Sequence, residues 1–154
     1  MLKLREYRPE DFERLLEIDQ VCFVEGIAYS VRELRHFLSR PLAVRLVGEQ
    51  AGKIKGFIIA DRFRPRRSQQ SMGQIITIDV LPEARRTGLG SRLLQAAEEK
   101  LKEHGCTYVS LEVAVDNLAA IRFYKKHNYV GLKVLPNYYL DSIDALLMGK
   151  KISN

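Results

Sequence analysis

The chain has little of what holds extracellular or metal-bound folds together. Two cysteines, Cys22 and Cys106, and three histidines occur in 154 residues. Neither cysteine belongs to a Cys-x-x-Cys pair or a histidine-rich cluster, so no zinc or other metal site is indicated. In a reducing compartment no structural disulfide is expected. Cys106 lies between Gly105 and an apolar segment, where a thiol reads as a small buried hydrophobe rather than a nucleophile. No apolar run is long enough to span a bilayer. Met1-Leu2-Lys3-Leu4-Arg5-Glu6 has neither the apolar core nor the small-residue cleavage site of a secretion signal. A cytoplasmic protein is therefore expected. Repeats, low-complexity tracts and dividing linkers are also missing, which leaves a single domain over residues 1–154.

What is present is the composition of a globular domain, with 46% hydrophobic and 29% charged residues, enough for a core. The net charge of +6 favours acidic partners, among them phosphorylated cofactors, acidic peptides, ribosomes and nucleic acid. Arg62-Phe63-Arg64-Pro65-Arg66-Arg67 sets an aromatic among basic groups, as single-strand binders do. A run this short reads better as a solvated hairpin loop, and nucleic acid is not the expected partner.

Leu2 to Tyr7 alternates apolar and polar side chains, the period of a strand. Pro9-Glu10-Asp11 opens a helix with Phe12, Leu15, Leu16, Ile18 and Val21 as its apolar positions. Ser30 caps a second helix carrying Leu34, Phe37 and Leu38. The connector between them, Phe23 to Tyr29, is unusually apolar. Ala43–Val47 and Lys53–Ala60 read as strands around the turn Glu49-Gln50-Ala51-Gly52. Gly73–Leu81, rich in β-branched residues, is the next strand and stops at Pro82. From Gly88 to about His104, Leu89, Leu93, Ala97 and Leu101 recur on one helical face, and Gly105 ends the helix. Thr107–Val115 is a strand, Asp116-Asn117 caps a short helix, and Val130–Leu135 and Ala145–Met148 close the domain. The whole reads as a mixed α/β domain.

The segment Pro82-Glu83-Ala84-Arg85-Arg86-Thr87-Gly88-Leu89-Gly90-Ser91 joins a strand to a helix. A helix N-terminus presents unpaired N–H groups and positive dipole, which suits phosphate. Gly88 and Gly90 allow close approach of an anion, and Arg85 and Arg86 add charge. No Walker A run Gly-x-x-x-x-Gly-Lys-Ser/Thr exists in the chain. The dinucleotide fingerprint fails because Leu93 stands where its third glycine belongs. The remaining pattern, Arg/Gln-x-x-Gly-x-Gly/Ala after a strand, is met by Arg85, Gly88 and Gly90. It resembles the acetyl-CoA pyrophosphate loop of the GNAT superfamily of N-acetyltransferases. Against it stands an ordinary glycine-rich turn with two surface arginines.

A second constellation runs from Leu111 to Tyr124. Asn117, Ile121 and Tyr124 are spaced i, i+4, i+7 and share one helical face. Leu111-Glu112-Val113, Asn117, Ala120-Ile121 and Tyr124, with the later Asn137-Tyr138-Tyr139, Asp144-Ala145 and Leu147-Met148, resemble the ribosomal-protein alanine N-acetyltransferase (RimI) family and its archaeal N-terminal acetyltransferase relatives. The resemblance covers roughly residues 75–148. It implies a GNAT fold, α/β (α+β), with a mixed, mostly antiparallel sheet of six to seven strands and about four helices.

The same resemblance implies acetyl-CoA as co-substrate and direct attack of a primary amine on the thioester. By position, Tyr124 matches the acid that protonates the CoA thiolate, and Glu112 matches the base, acting through water. Arg85 to Ser91 (Arg85, Arg86, Thr87, Gly88, Leu89, Gly90, Ser91) and Asn117 match cofactor contacts. The strand Ile78-Asp79-Val80 matches the backbone that pairs with pantetheine. Tyr29 and Tyr139 fall in the two segments that shape the acceptor site, the first connector and the hairpin around Leu135 to Asp144. Chemistry agrees: an amine must lose a proton before it attacks, and a tyrosine stays protonated at neutral pH. Alternatives stay open. Glu112 also fits the solvent face of a strand, Tyr124 a core aromatic, and Tyr139 a packed strand residue. His127 reads as a surface residue at a helix end. The expected acceptor is a protein N-terminus, then a lysine side chain or small amine, with a non-enzymatic CoA- or nucleic-acid-binding module behind them. The expected assembly is a monomer or homodimer.

Overall fold

The computed structural model describes residues 1–24, 27–139 and 143–152. Seven strands form one sheet in the order β1-β2-β3-β4-β5-β7-β6. They are β1 (Leu2–Glu6), β2 (Val44–Gln50), β3 (Lys53–Phe63), β4 (Ser71–Val80), β5 (Cys106–Ala114), β6 (Val130–Tyr139) and β7 (Ile143–Lys151). Every neighbouring pair is antiparallel except β4 and β5. The four α-helices are α1 (Phe12–Cys22), α2 (Val31–Leu38), α3 (Leu89–Glu103) and α4 (Leu118–Lys126). The expected mixed, mostly antiparallel GNAT sheet and its four helices are all present.

Local chemistry sets most element boundaries. Ser30 caps α2 in a reciprocal box, its hydroxyl accepting the Glu33 N–H at 3.1 Å while the Glu33 carboxylate accepts the Ser30 N–H at 2.9 Å. Asn117 caps α4, its side chain accepting from the Ala120 N–H at 3.2 Å. Pro9–Asp11 forms a single 3-10 turn rather than the first turn of α1, which starts at Phe12. The β2–β3 turn narrows to Ala51-Gly52, both at positive φ (52° and 78°), the backbone that matches strand twist. Glu49 and Gln50 therefore extend β2, paired with Lys3 and Leu2 of β1. Likewise β3 runs on to Phe63 through pairing with Met72 of β4. The basic run from Arg64 to Arg67 lies in the exposed connection after it.

Two apolar cores lie on opposite faces of the sheet. On one, Phe12, Leu15 and Ile18 of α1 and Leu34 and Leu38 of α2 bury Val47, Phe57 and Ile59. On the other, Leu89, Leu93, Leu94, Ala97 and Leu101 of α3 pack with Tyr124 of α4 on Leu46, Ile58, Ile75, Val109 and Leu111. Burial of so many aliphatic side chains, each contributing roughly 1.5–3 kcal/mol, is the main stabilising term. Cys106 is buried in the second core, as its setting in the sequence implies. Among the described residues no helix is long and apolar enough to cross a membrane.

Within β4 the ladder to β3 slips once. Ile59 pairs Thr77 and Ala60 pairs Ile75, which leaves Ile76 as the extra residue of a β-bulge. Its carbonyl is taken instead by the Tyr29 hydroxyl, which donates at 3.2 Å.

Candidate active site

The parallel pair β4–β5 is the short one. Ser71 to Gln74 face Cys106 to Ser110, and pairing then stops. Beyond that point β4 stays on β3 as far as Val80, and β5 stays on β7 as far as Ala114. The sheet parts between them, and the edges of Ile75–Val80 and Leu111–Ala114 that would pair with each other line an opening.

At its apex, Gln74 donates from Nε2 to Glu112 Oε2 at 3.1 Å and Oε1 at 3.4 Å. Gln74 is the last β4 residue paired to β5, so this contact fixes the carboxylate where the strands separate. The Tyr139 hydroxyl donates to the Glu112 carbonyl at 3.4 Å. Burial pushes the Tyr139 phenol up to about 12. Tyr124 is 7% exposed and packs edge-on against Phe123 and Tyr129, with ring centroids 5.3 and 5.7 Å away. Burial pushes its phenol well above the ordinary value, and the charges of Asp79 and Tyr139 add to the effect. Tyr124 thus sits within electrostatic reach of Asp79 on the β4 wall of the opening and of Tyr139 on β6.

At the wide end, β4 passes through a 3-10 turn, Pro82–Ala84, into the loop before α3. Thr87 ties the loop by donating to the Ala84 carbonyl at 2.6 Å. Gly88 caps α3 at φ 88°, a backbone a side chain enters only at a cost. No atom lies within 4 Å of a Cβ built there, so its backbone, not crowding by the protein, calls for glycine. The first intrahelical bond runs from the Arg92 N–H to the Gly88 carbonyl, and the preceding N–H groups are those a helix leaves unpaired. Gly90 abuts the Phe123 ring, 3.4 Å from a Cβ built there.

Not every loop residue aims outward. Leu89 is fully buried and fills the space over Gly48 and Gly56, so only its backbone can meet an anion. The Arg85 guanidinium folds back, donating from Nε to the Val80 carbonyl at 3.0 Å and from Nη2 to Cys22 Sγ at 3.9 Å. Arg86, at φ 64°, is exposed. The Ser91 hydroxyl is bonded to His127 Nε2 at 2.8 Å. His127 is therefore a half-buried brace between α3 and the end of α4, not a free surface residue; burial pulls its pKa down. Asn117 contributes its oxygen to the α4 cap.

Tyr29 is bound at both ends. Its hydroxyl holds the Ile76 carbonyl, its N–H donates to Asp19 Oδ2 at 2.6 Å, and its ring packs 5.2 Å from Phe37. Of the first connector, residues 25–26 lie outside the described residues, as do residues 140–142 of the late hairpin. Asp79 proves notable for its side chain as well as its backbone. It is 1% exposed, accepts the Thr77 hydroxyl at 2.5 Å, and faces Asp19, which is fully buried. Burial, then the hydrogen bond and charge of Asp19, raise the Asp79 carboxyl well above the usual range. Gln74 and Asp19 are additions to the residues singled out from the sequence. Asp19 had a signal: with Leu15 and Cys22 it forms an i, i+4, i+7 set on the inward stripe of α1. Among the described residues, no three His, Cys, Asp or Glu side chains group to hold a metal ion.

Known proteins share this architecture. An N-alpha-acetyltransferase of Sulfurisphaera tokodaii is 33% identical over 157 residues, which cover 95% of this chain and 93% of that one. The crystal structure of Ard1 from Thermoplasma volcanium is 32% identical, with a TM-score of 0.85 over 99% of both chains. Arabidopsis thaliana NAA60, solved in complex with acetyl-CoA, has the same fold at a TM-score of 0.87 and 20% identity, over 100% of both chains. The acetyltransferase (GNAT) family profile matches residues 12–129, from the start of α1 to the residue before β6, and the chain belongs to that family.

Proposed function

We propose that this chain is an acetyl-CoA-dependent N-acetyltransferase that modifies the α-amine of a protein N-terminus. One observation carries the reading: the opening between β4 and β5 has a helix N-terminus at its wide end and a held carboxylate at its apex. The loop from Arg85 to Ser91 suits a diphosphate, through the unpaired N–H groups of α3 and the charge of Arg86. The unpaired edge of Ile78-Asp79-Val80 suits the amides of an extended pantetheine arm, and Asn117 flanks it from α4. Acetyl-CoA supplies the acyl group and a thiolate leaving group.

The protein's part is proton handling and orientation. Glu112, oriented by Gln74, accepts the proton of the incoming ammonium through water, because only the free amine has a lone pair to attack. Backbone N–H groups near Val80 stabilise the oxygen charge that develops as the amine adds to the thioester carbonyl. The C–S bond then breaks, and Tyr124 donates a hydrogen bond to the departing sulfur. An α-amine titrates near 8 and a lysine near 10.4, so a single carboxylate is better matched to an N-terminus. The N-alpha-acetyltransferase relative supports the same acceptor class. Tyr29 and Tyr139 stand on the acceptor side of the opening.

The test is acetyl transfer by the purified protein to three acceptor sets: peptides with free N-termini, N-blocked peptides with lysine, and small amines. Mass spectrometry locates the acetyl group. Fastest turnover on free N-termini is expected. Faster turnover on lysine or small amines overturns the acceptor assignment, and CoA binding without transfer overturns the enzymatic one.

A further inference from the structure

Two buried carboxyl groups have no place in the mechanism above. Asp19 lies on α1 and Asp79 on β4, both shielded from solvent. Among the described residues, Asp19 Oδ1 and Asp79 Oδ2 are the buried side-chain oxygens that no other donor reaches. Their remaining oxygens are engaged: Asp79 Oδ1 accepts the Thr77 hydroxyl and Asp19 Oδ2 accepts the Tyr29 N–H. Two bare carboxylates cannot share such a place, because like charges in a low dielectric repel. One proton between the facing oxygens resolves the geometry, with Asp79 donating to Asp19. Every oxygen of the pair then has a partner.

The chain of bonds has a direction. With that proton in place it runs from β4 through Asp79 to Asp19, to the Tyr29 N–H, and from the Tyr29 hydroxyl back to the β4 bulge at Ile76. Tyr29, just before α2, is thereby tied to the strand that borders the opening.

We propose that Asp19 and Asp79 form a proton-held latch that positions Tyr29 for the acceptor peptide, and that releases it in alkali. This rests on the N-terminal acceptor reading. These are positioning residues: they reach the acceptor through Tyr29. The groups facing the pair are Cys22 on α1, Thr77 on β4, Tyr29 on the connector, Arg85 from the phosphate loop and Tyr124 on α4. Tyr138 and Tyr139 on β6 act on Tyr29. The Arg85 cation eases loss of the proton, while burial and Asp19 resist it. Burial pushes the Cys22 thiol up to about 11 and lifts the Tyr29 and Tyr124 phenols further. All three therefore stay mostly protonated up to about pH 10.

Asp79→Asn is the deciding variant. Its amide donates permanently to Asp19 and still accepts from Thr77, so it copies the protonated latch without the proton. Peptide KM is measured from about pH 6 to about pH 10, where an α-amine also titrates. In the wild type, peptide KM is expected to rise at the alkaline end, by up to about tenfold per pH unit, the limit for loss of one proton. Deprotonation of the peptide amine moves KM the opposite way, so the two effects separate by sign. In Asp79→Asn the alkaline rise is expected to vanish. The Tyr29 amide is followed by hydrogen exchange in both proteins at the same alkaline pH, which cancels the intrinsic dependence on base. It is expected to exchange faster in the wild type. Should Asp79→Asn fail to fold, Asp19→Asn serves equally, donating to Asp79 while its oxygen accepts the Tyr29 N–H. A wild-type KM without an alkaline rise, or a rise that survives the substitution, overturns the latch. Equal Tyr29 exchange overturns it even where no peptide is acetylated, a result that would instead count against the acceptor reading.

Discussion

Replacing Tyr124 by phenylalanine removes one oxygen from a buried, well-packed ring and leaves its contacts with Phe123 and Tyr129 in place. Two estimates of its effect on turnover compete. If the phenol transfers its proton fully to sulfur in the transition state, loss of a general acid costs about 10²- to 10⁴-fold. A thiol titrates near 8.5 and an unperturbed tyrosine near 10, and burial lifts Tyr124 further. Full transfer is then uphill, and the useful term is a hydrogen bond to the charge growing on sulfur. Hydrogen bonds to charged groups contribute about 1.5–3 kcal/mol. At 1.36 kcal/mol per decade, the expected fall in kcat is roughly 10- to 150-fold. Acetyl-CoA KM should stay within about twofold, since a contact made only in the transition state does not alter ground-state binding. Stopped assays of CoA release at neutral pH measure both quantities, and melting curves of both proteins check that the fold is kept. An unchanged kcat removes Tyr124 from the reaction, and a kcat lowered by about 10³-fold or more would show that complete proton transfer, not hydrogen bonding, sets the rate.

Glu112→Gln is expected to lower kcat/KM for peptides by about 10²- to 10⁴-fold at neutral pH; Gln74→Ala, which only frees the carboxylate, should cost less, and steady-state kinetics rank the two. Leu89→Ala empties a fully buried site above Gly48 and Gly56, at a cost of about 2–5 kcal/mol. At roughly 2–4 °C per kcal/mol, calorimetry should record a Tm lower by about 4–20 °C. Asp11 receives bonds from Arg5 at 2.8 and 3.0 Å and from the Arg8 N–H at 2.8 Å, and the Arg5 guanidinium, above all, holds its carboxyl below the usual range. A carboxyl lowered on folding stabilises above its unfolded value, near 3.9, and loses that contribution as pH falls through the folded value. The Tm difference between wild type and Asp11→Asn should therefore be full at neutral pH and shrink in acid. A constant difference would remove the ion pair as its cause.

What could be read from the sequence was local. The caps Ser30 and Asn117, the turn at Gly52, the stop at Gly105 and the leucine stripe of α3 each act within a few residues, and all stand where their chemistry puts them. Strand ends were less legible. Glu49, Gln50, Arg62 and Phe63 are strand residues because a neighbour pairs with their backbones, and no local preference announces that. The apex of the opening was the least legible feature. Gln74 and Glu112 are 38 residues apart, and only the early end of the β4–β5 pairing brings them together. Likewise Leu89 belongs to a motif by its neighbours in sequence and to the core by its neighbours in space.

The extra residue in β4 acts as a change of parity. Before it, Gly73 and Ile75 look toward α3; after it, Thr77 and Asp79 meet Asp19 on the side of α1. Strict alternation would keep odd positions on one layer, so Asp79 would lie among the leucines of α3. A straight strand that kept Ile76 in the ladder would turn every side chain after it to the opposite face. A carboxyl would then press into hydrocarbon while the apolar Ile78 replaced it beneath α1. Loss of Ile76 itself would leave Ile75 and Thr77 alternating and facing as they do now, so the chemical division of the two layers rests on that one residue staying outside the pairing.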